Sequence, residues 1–284
     1  MNKRIFSVLL IIVATLITSF PVVADLTVGV FPRRSAVITV TSFKPLVNHL
    51  SQVLDEKVTL EVSKSFPAFW KNVQEGKYDI VHYNQYHYVK SRAEYGHIPI
   101  ITNEEQGIDI VAGMLSVRKD SGINKVEDLR GKKVLFGGGK MAMSSYISAT
   151  AILKKHGLIE GKDYTAAFAK NSPSAIVGVY NKAADAAGSG DVVLKIESVT
   201  SKIDIEQMRV LAKSDSYTHL VWAVSNDVPV DKIEKITSAM TSLADSDEGK
   251  VILEAARVTG FRKTDDSQFA KVREVVEYAI GEKY

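Results

Sequence analysis

Three of the chain's six histidines and four tyrosines lie in one stretch, residues 79–97, which reads DIVHYNQYHYVKSRAEYGH. Imidazole nitrogens bind zinc and exchange protons near neutral pH, so this stretch is the first candidate for chemistry. Zinc ligands on one helical face lie three or four residues apart. His82 and His87 are five apart and His97 follows ten residues later. The spacing disfavours a metal site, and the alternative is the rim of a pocket that only holds a ligand.

Other catalytic patterns do not occur in the sequence. The chain has no cysteine, no G-x-S-x-G elbow of serine hydrolases and no G-x-x-x-x-G-K-[ST] phosphate loop. The run Gly137-Gly138-Gly139-Lys140 resembles such a loop only superficially, and Ser144 has no evident base beside it in sequence. The sequence therefore predicts a binding protein without a cofactor, not an enzyme.

Residues 1–24 have the features of a secretory signal peptide. Lys3 and Arg4 precede an apolar segment, Ile5 to Phe20, and Val22-Val23-Ala24 forms a small-residue cleavage site. The alternative is a membrane anchor, but these sixteen residues fall short of the roughly 20 that span a bilayer. We predict cleavage after Ala24 and, since no cysteine is present to carry a lipid, a free, soluble protein outside the cytoplasm.

The charge balance argues against nucleic acid as a partner. Removal of residues 1–24 leaves 260 residues, and loss of Lys3 and Arg4 lowers the formal net charge from +3 to +1. The longest basic runs are pairs, such as Lys132-Lys133, whereas binding to a phosphate backbone requires a clustered basic face.

Strand-like and helix-like apolar patterns alternate along the chain, which is typical of an α/β fold with mostly parallel strands. In the first part we predict strands at Leu26–Phe31, Val58–Val62, Tyr78–Val81 and, longer, Glu104–Val117, with helices at Pro45–Glu56 and Phe66–Glu75. In the second part we predict a strand ending at Phe136, helix Ser144–His156, strand 164–169, helix 173–182, strand 184–188, helix 191–198, strands Val210–Ala212 and Leu220–Val224, and helices near 230–244, 247–257 and 266–280.

Two such sets joined by long strands predict two lobes. We assign residues 25–112 to lobe 1, 113–214 to lobe 2 and 215–284 to the return to lobe 1. Small ligands bind between such lobes, at the carboxyl ends of parallel strands. Four segments are expected there: the turn after Phe31, HYNQY from His82, GGGKMAMSS from Gly137 and GSGD from Gly188.

Five segments, in order along almost the whole chain after residue 24, resemble the phosphate-, phosphite- and phosphonate-binding periplasmic proteins of ABC transporters, the PhnD-like family. They are GVFPRRSAVITVTSFKPLVNHLSQVL, GKYDIVHYNQYHYV, VEDLRGKKV, FGGGKMAMSSYISATAIL and TGFRKTDDSQFAKVREVVE. The ordered set carries the resemblance, because VEDLRGKKV alone occurs across many extracytoplasmic solute-binding proteins. The resemblance implies a hinged, two-lobed Venus-flytrap receptor, each lobe a mixed, mostly parallel sheet flanked by helices, that closes on a small ligand and delivers it to a permease.

The resemblance also implies where the ligand is held. In the family an oxyanion lies at a helix N-terminus formed by a Ser-Thr-Ser-Gly turn, helped by a tyrosine in the first lobe and an acidic residue in the second. The turn corresponds here to Ala142-Met143-Ser144-Ser145, with Ser144 at the second serine. Main-chain amides at a helix start still attract an anion, but alanine and methionine remove two side-chain donors, each worth about 1.5–3 kcal/mol to a charged oxygen. A phosphonate-specific site would tolerate this loss poorly, but Met143 adds an apolar wall that suits a carbon substituent or a less highly charged head.

Further candidates come from the first lobe. His82 occupies the place of the family's ligand-facing aromatic residue, with Tyr83 after it, and either donates to an anion or is bound by backbone at a strand end. Tyr83, Tyr86 and Tyr88 are alternatively core residues. Arg33, with Arg34, either clamps an oxyanion bidentately or lies in a solvated turn.

The second lobe and the return segment contribute the remaining candidates. Asp191 aligns with the family's acidic position and either meets the ligand or caps the helix predicted at 192–198. His219 lies where the family's chain passes the cleft again. Lys140 either adds charge to the glycine-rich turn or is solvated.

Together these patterns predict a monomeric periplasmic receptor for a small oxyanion (a phosphonate, phosphite or phosphate-like compound) that works with an ABC transporter permease. Two alternatives stay open: docking of the loaded protein on a sensor histidine kinase, and a different small organic ligand. No metal, nucleic acid or membrane insertion after cleavage is predicted.

Overall fold

The computed structural model describes residues 25–32 and 35–284. The predicted signal peptide, residues 1–24, and the candidates Arg33 and Arg34 lie outside the described residues.

The first part of the chain alternates strands and helices. In order, the elements are β1 (Leu26–Val30), α1 (Ala36–Leu54), β2 (Val58–Val62), α2 (Phe66–Gln74), β3 (Ile80–Tyr83), α3 (Gln85–Tyr95) and β4 (Ile98–Glu104). Strand β1 pairs in parallel with β2 and with β3. Parallel neighbours require crossover connections, and α1 and α2 supply them.

The middle of the chain forms a separate five-stranded sheet. Its elements and their neighbours are β5 (Ile110–Val111), β6 (Gly113–Arg118), β7 (Lys133–Gly137), a π-helical turn (Met143–Ile147), α4 (Ser148–Lys155), β8 (Thr165–Ala169), α5 (Ser172–Tyr180), β9 (Ala186–Gly190), α6 (Glu197–Thr200) and β10 (Met208–Lys213). The strand order is β10-β6-β9-β7-β8. This sheet and its helices are called the second lobe below.

The end of the chain returns to the first sheet. The last elements are β11 (Tyr217–Thr218), β12 (Val221–Val224), α7 (Val230–Thr241), α8 (Asp247–Ala256), β13 (Gly260–Lys263) and α9 (Ala270–Ile280). The first sheet has the order β13-β4-β12-β3-β1-β2, in which β12 runs antiparallel between β3 and β4. This sheet and its helices are called the first lobe. Strands β5 and β11 pair with each other, so the two segments that cross between the lobes are held together.

The two-lobed α/β architecture is the predicted one, whereas the exact residue boundaries of the lobes stay a prediction. One cluster of buried apolar residues contains members from both lobes, including Tyr83 and Phe69 of the first and Phe136 and Tyr146 of the second. The lobes therefore touch each other through side chains as well as through the crossing segments.

Helix α1 begins nine residues earlier than the predicted start at Pro45. Ser35 caps it, because its side chain accepts the N–H of Ile38, as a serine N-cap does. Val37 is 77% exposed and Val40 is 40% exposed, so the first turns lack the buried apolar stripe that identifies a helix in sequence.

Two other predicted elements are interrupted. The long strand Glu104–Val117 breaks at a tight turn in which Gln106 and Gly107 have φ of 55° and 76°. The helix predicted at 191–198 is a short 3-10 turn, Val193–Lys195, followed by α6. Strands β4 and β13 were missed, since neither shows a simple alternating pattern.

The π-helical turn after β7 packs unusually close to the second sheet. A methyl group on Gly188 would lie 2.4 Å from the carbonyl oxygen of Ser145, and one on Gly113 would lie 2.3 Å from Cβ of Ser148. Glycine in a strand commonly marks such a close backbone approach. The glycine of the GSGD segment therefore lets the turn lie directly on the sheet.

We expect Gly188→Ala to destabilise the protein, because the added methyl group overlaps the Ser145 carbonyl. Overpacking of this kind costs about 1–3 kcal/mol. Gly139→Ala, in the same glycine-rich segment, is the matched control, since nothing lies within 4 Å of its added methyl group. Urea denaturation of both variants measures the difference, and equal free energies of unfolding would show that the turn is not confined as described.

Candidate functional site

The segment from Gly137 to Ser145 turns the chain sharply from β7 into a helix. Gly138 has φ of 100°, and its N–H donates to the carbonyl of Ala169 (2.9 Å). The Ser145 hydroxyl donates back to the carbonyl of Gly137 (2.5 Å). The segment is thus fixed by its own hydrogen bonds at the carboxyl end of a central strand.

The helix begins with an irregular first turn. The amides of Tyr146 and Ile147 both donate to the carbonyl of Ala142, at 2.9 and 3.2 Å. The amides that precede them, from Met143 to Ser145, come too early in the helix to have intrahelical acceptors. They also carry the positive end of the helix dipole, so the turn has the electrostatics of an anion site.

The four candidates of this turn differ in exposure. Ala142 and Ser144 are partly exposed, whereas Met143 and Ser145 are buried. Ser144 lies next to the GSGD segment, since a methyl group on Gly190 would be 3.5 Å from its Cβ. The structure thus brings together two of the segments that were expected at the cleft.

The alternation of β3 separates His82 from Tyr83. The His82 ring lies on the α1 side of the sheet, stacked on Trp222 with ring centres 4.4 Å apart and with the edge of Phe43 at 5.4 Å. Together with Asn103 and Glu105 it lines a cavity of about 20 Å³, large enough for one water molecule. His82 is therefore near the end of the strand but enclosed by aromatic rings.

Tyr83 lies on the other face of the sheet and is fully buried. Its hydroxyl forms a hydrogen bond with Nδ1 of His97 (3.0 Å), and its ring contacts Phe69. Tyr86 and Tyr88 are buried as well, as the alternative interpretation expected. The structure does not bring His82 and Tyr83 together, and neither residue's contact with a ligand is more than a prediction.

Asn84 connects the two lobes and was missed from the sequence. Its Oδ1 accepts the backbone N–H of His87 (2.8 Å) and so caps α3, while its Nδ2 donates to the carbonyl of Met141 in the second lobe (3.0 Å). An asparagine between a strand and a helix is a recognisable capping signal. Its second contact, across 57 residues, has no such local signal.

Asp191 holds the crossing segments instead of capping a helix. It accepts the N–H of Ala112 (3.2 Å) and pairs with Lys213 (3.0 Å). The 3-10 turn that follows is preceded by Val192 and has no side-chain cap, so the capping interpretation is wrong. Asp191 lies one residue beyond Gly190, within the neighbourhood of Ser144.

His219 lies on the second crossing and is buried. Its N–H donates to the carbonyl of Asp109 (2.9 Å), and its Nδ1 accepts the N–H of Leu220 (2.7 Å). Because Nδ1 is an acceptor, the proton of the neutral ring lies on Nε2, which faces Glu105 at 3.8 Å. His219 thus joins the outgoing and returning segments.

Lys140 pairs with Glu160 (3.1 Å). Its side chain is 64% exposed. Lys140 is therefore largely solvated, as one of the two alternatives predicted, and its ammonium group is paired with Glu160. Arg33 lies outside the described residues, and its role stays a prediction.

The described residues also bear on two other kinds of site. In residues 25–32 and 35–284, no group of three or more histidine, aspartate or glutamate side chains is arranged to hold a metal ion. In the same ranges no helix combines the length and apolar character needed to cross a membrane.

Two α/β lobes joined by crossing segments, with a partly exposed helix start at the edge of one sheet, are the architecture of the solute-binding proteins. The chain belongs to the family described as the periplasmic substrate-binding protein of phosphonate ABC transporters, whose model matches residues 28–269. The resemblance predicted from the five sequence segments is thereby confirmed. The protein is a periplasmic solute-binding component of a transporter and not an enzyme.

Solved structures show the same fold at low sequence identity. PhnD1 from Prochlorococcus marinus, in complex with methylphosphonate, is 17% identical with a TM-score of 0.76 and covers 91% of this chain and 99% of its own. The phosphonate-transporter binding protein PA3383 from Pseudomonas aeruginosa is 17% identical with a TM-score of 0.75, covering 88% and 85%. XAC2383 from Xanthomonas citri, bound to ATP, is 14% identical with a TM-score of 0.77, covering 90% and 96%.

The α3 cap leads to a prediction about acid stability. His87 is buried, stacks on Phe66 and has its Nδ1 at 2.8 Å from Oδ1 of Asn84. Burial lowers the pKa of His87 from 6.5 to about 3. Below pH 6.5 His87 is protonated in the unfolded chain but stays neutral in the folded protein. The free energy of unfolding therefore falls as the pH falls toward 3.

We expect His87→Phe to flatten this fall. Phenylalanine keeps the ring contacts and leaves Asn84 bound to the backbone N–H at position 87, but it cannot take up a proton. Between about pH 6.5 and about pH 4.5, the free energy of unfolding should decline less steeply than in the unaltered protein, by up to ~1.4 kcal/mol per pH unit. Urea titrations across this range measure the slopes, and parallel slopes would contradict the buried neutral histidine.

Proposed function

We propose that this protein captures a small phosphorus oxyanion, of the phosphonate, phosphite or phosphate type, at the Ala142–Ser145 turn between its lobes. The observation that carries the proposal is the fixed helix start after β7, with its early amides and the partly exposed Ser144 hydroxyl at the edge of the second sheet. Support comes from family membership and from PhnD1, a structural relative that holds methylphosphonate.

Among the described residues around this turn, neutral donors predominate. Lys140, beside the turn, pairs with Glu160, and Lys213 pairs with Asp191. The positive potential at the turn therefore comes largely from main-chain N–H groups, each of which gains about 1.5–3 kcal/mol from a charged oxygen. Such a site distinguishes ligands by the number and placement of acceptor oxygens.

The replacement of two hydroxyl donors by Ala142 and Met143 favours a phosphonate over inorganic phosphate. A tetrahedral phosphate that turns four oxygens toward the site needs a donor for each, and an unpaired charged oxygen is costly to bury. A carbon substituent on phosphorus needs no donor. We therefore place methylphosphonate or a similar small phosphonate ahead of phosphate as ligand.

The contact between Asn84 and Met141 is the proposed closing contact. A ligand at the turn lies beside this hydrogen bond between the lobes, so its entry requires the lobes to separate there. A ligand that bridges the lobes shifts the equilibrium toward the closed form by its differential contacts. The closed, loaded form is the one proposed to dock on the permease.

The proposal extends to the assembly and its export. We take the functional receptor to be a monomer whose residues 1–24 are removed on export and which works with the permease of an ABC transporter.

A ligand panel tests the proposal. We expect methylphosphonate to raise the melting temperature more than phosphite or phosphate, and sulfonates and carboxylates to have little effect, because stabilisation follows RT ln(1 + [L]/Kd) and reaches about 2.7 kcal/mol at 100-fold excess over Kd. Differential scanning fluorimetry measures the shifts. If only carboxylates or cations raised the melting temperature, the oxyanion proposal would be wrong.

Ser144→Ala tests the location of the site. Loss of one donor to a charged oxygen should weaken methylphosphonate binding by about 10- to 150-fold. Ser201→Ala is the matched control, because that serine is exposed and donates to the carbonyl of Glu197 within its own helix. Isothermal titration calorimetry compares the two, and equal affinities for both variants would place the ligand elsewhere.

A further inference from the structure

Tyr217 links the returning crossing segment to the candidate site. It belongs to β11, which pairs with β5 of the outgoing segment through Tyr217 opposite Val111. Its side chain is 3% exposed, and its hydroxyl lies between two serines of the helix that starts at the turn. Ser148 Oγ donates to the Tyr217 oxygen (3.0 Å), and the Tyr217 hydroxyl donates to Ser144 Oγ (3.0 Å).

These bonds give the three hydroxyls one direction. A hydroxyl has a single hydrogen, so Ser148 can donate only to Tyr217 and Tyr217 only to Ser144. Within residues 25–32 and 35–284 the Ser144 hydroxyl donates to no hydrogen-bond acceptor and accepts one bond, from Tyr217. Its hydrogen is consequently left for a group outside the protein.

The protonation of Tyr217 supports this direction. Burial raises the pKa of Tyr217 to about 12, against which its bonds to Ser144 and Ser148 act only in part. The phenol therefore stays protonated at physiological pH and remains a donor to Ser144.

We propose that Tyr217 is a positioning residue for the ligand: by donating to Ser144 Oγ it directs the Ser144 hydrogen toward an acceptor outside the protein, and thereby favours an oxyanion at the turn. The inference rests on the proposed function. A hydroxyl that already accepts a hydrogen bond is polarised and donates more strongly, by about 10–30% per bond in a chain. The relay Ser148, Tyr217, Ser144 thus ends at the ligand.

The relay also ties the donor to the hinge. Tyr217 moves with β11, whereas Ser144 and Ser148 belong to the second lobe and lie against the start of β6, where Gly113 leaves no room for a methyl group. A bending of the crossing segments that displaces β11 from this helix lengthens the bond from Tyr217 to Ser144. The ligand-facing donor is therefore set correctly in one arrangement of the hinge.

Tyr217→Phe tests the relay, because it removes the hydroxyl and keeps the ring. We expect methylphosphonate affinity, measured by calorimetry, to fall about 3- to 10-fold, the effect of one neutral hydrogen bond. In the Ser144→Ala background the same substitution should cause no further loss. Ser148→Ala should weaken binding less than Tyr217→Phe, since Tyr217 can still donate to Ser144.

Tyr146→Phe is the matched control. Its hydroxyl lies on the same helical turn but donates to Glu160 (2.6 Å), outside the relay, so affinity should not change. Melting temperatures of all variants separate a loss of binding from a loss of folded protein. The absence of a further loss when Tyr217→Phe is added to Ser144→Ala would be a non-additive effect, which a merely structural hydroxyl would not produce.

The outcomes separate the inference from the proposed function. If Ser144→Ala weakens binding but Tyr217→Phe binds as well as the unaltered protein, the relay is wrong and the proposed site stands. If Tyr217→Phe weakens binding equally with and without Ser144, Tyr217 acts independently and the inference is overturned. If the unaltered protein binds no member of the phosphonate, phosphite and phosphate panel, the proposed function fails and the inference fails with it.

Discussion

Main-chain N–H groups at a helix start require hydrogen-bond acceptors. The helix that begins at Met143 places its first N–H groups at the edge of a sheet instead of inside a core. Much of the second lobe holds them there. Gly138 turns the chain with a positive φ, Ser145 closes the turn onto Gly137, and Gly188 removes the methyl group that would push the turn off the sheet. A binding site made of backbone is only as exact as the packing beneath it, which explains why small residues gather around this turn.

The crossing segments share this constraint. Their hydrogen bonds come from side chains of the second lobe and of the crossing segments themselves. Asp191 accepts the N–H of Ala112, His219 accepts the N–H of Leu220, and Tyr217 bonds to two serines of the helix. These residues near the cleft therefore have a structural role that is independent of any ligand. Such anchoring holds the crossing segments in place beside the proposed site.

Sequence patterns identified what depends on local order and missed what depends on distant contacts. The alternation of strands and helices, the glycine-rich turn and Ser144 at its helix start were all accessible from the chain. The opposite directions of His82 and Tyr83 also follow from the two-residue period of a strand. The family resemblance nevertheless led us to name both residues as candidates for the same ligand. Asn84 and Tyr217 were missed because their partners lie 57 and 73 residues away, where no local pattern reports them.

Helix α9 adds a third connection between the lobes. It packs against α3 of the first lobe and α4 of the second. Lys154 donates to the carbonyl of Tyr278 (2.8 Å), and Tyr86 donates to Glu282 just beyond the helix (2.7 Å). Any movement of one lobe relative to the other must shift α3 or α4 along α9, so the lobes cannot swing on the two crossing strands alone. A groove of about 540 Å³ between Tyr86, Met141 and the end of α9 leaves space for such a shift. We therefore expect the proposed opening at the Asn84–Met141 contact to be accompanied by a shift of α9 against α3 or α4.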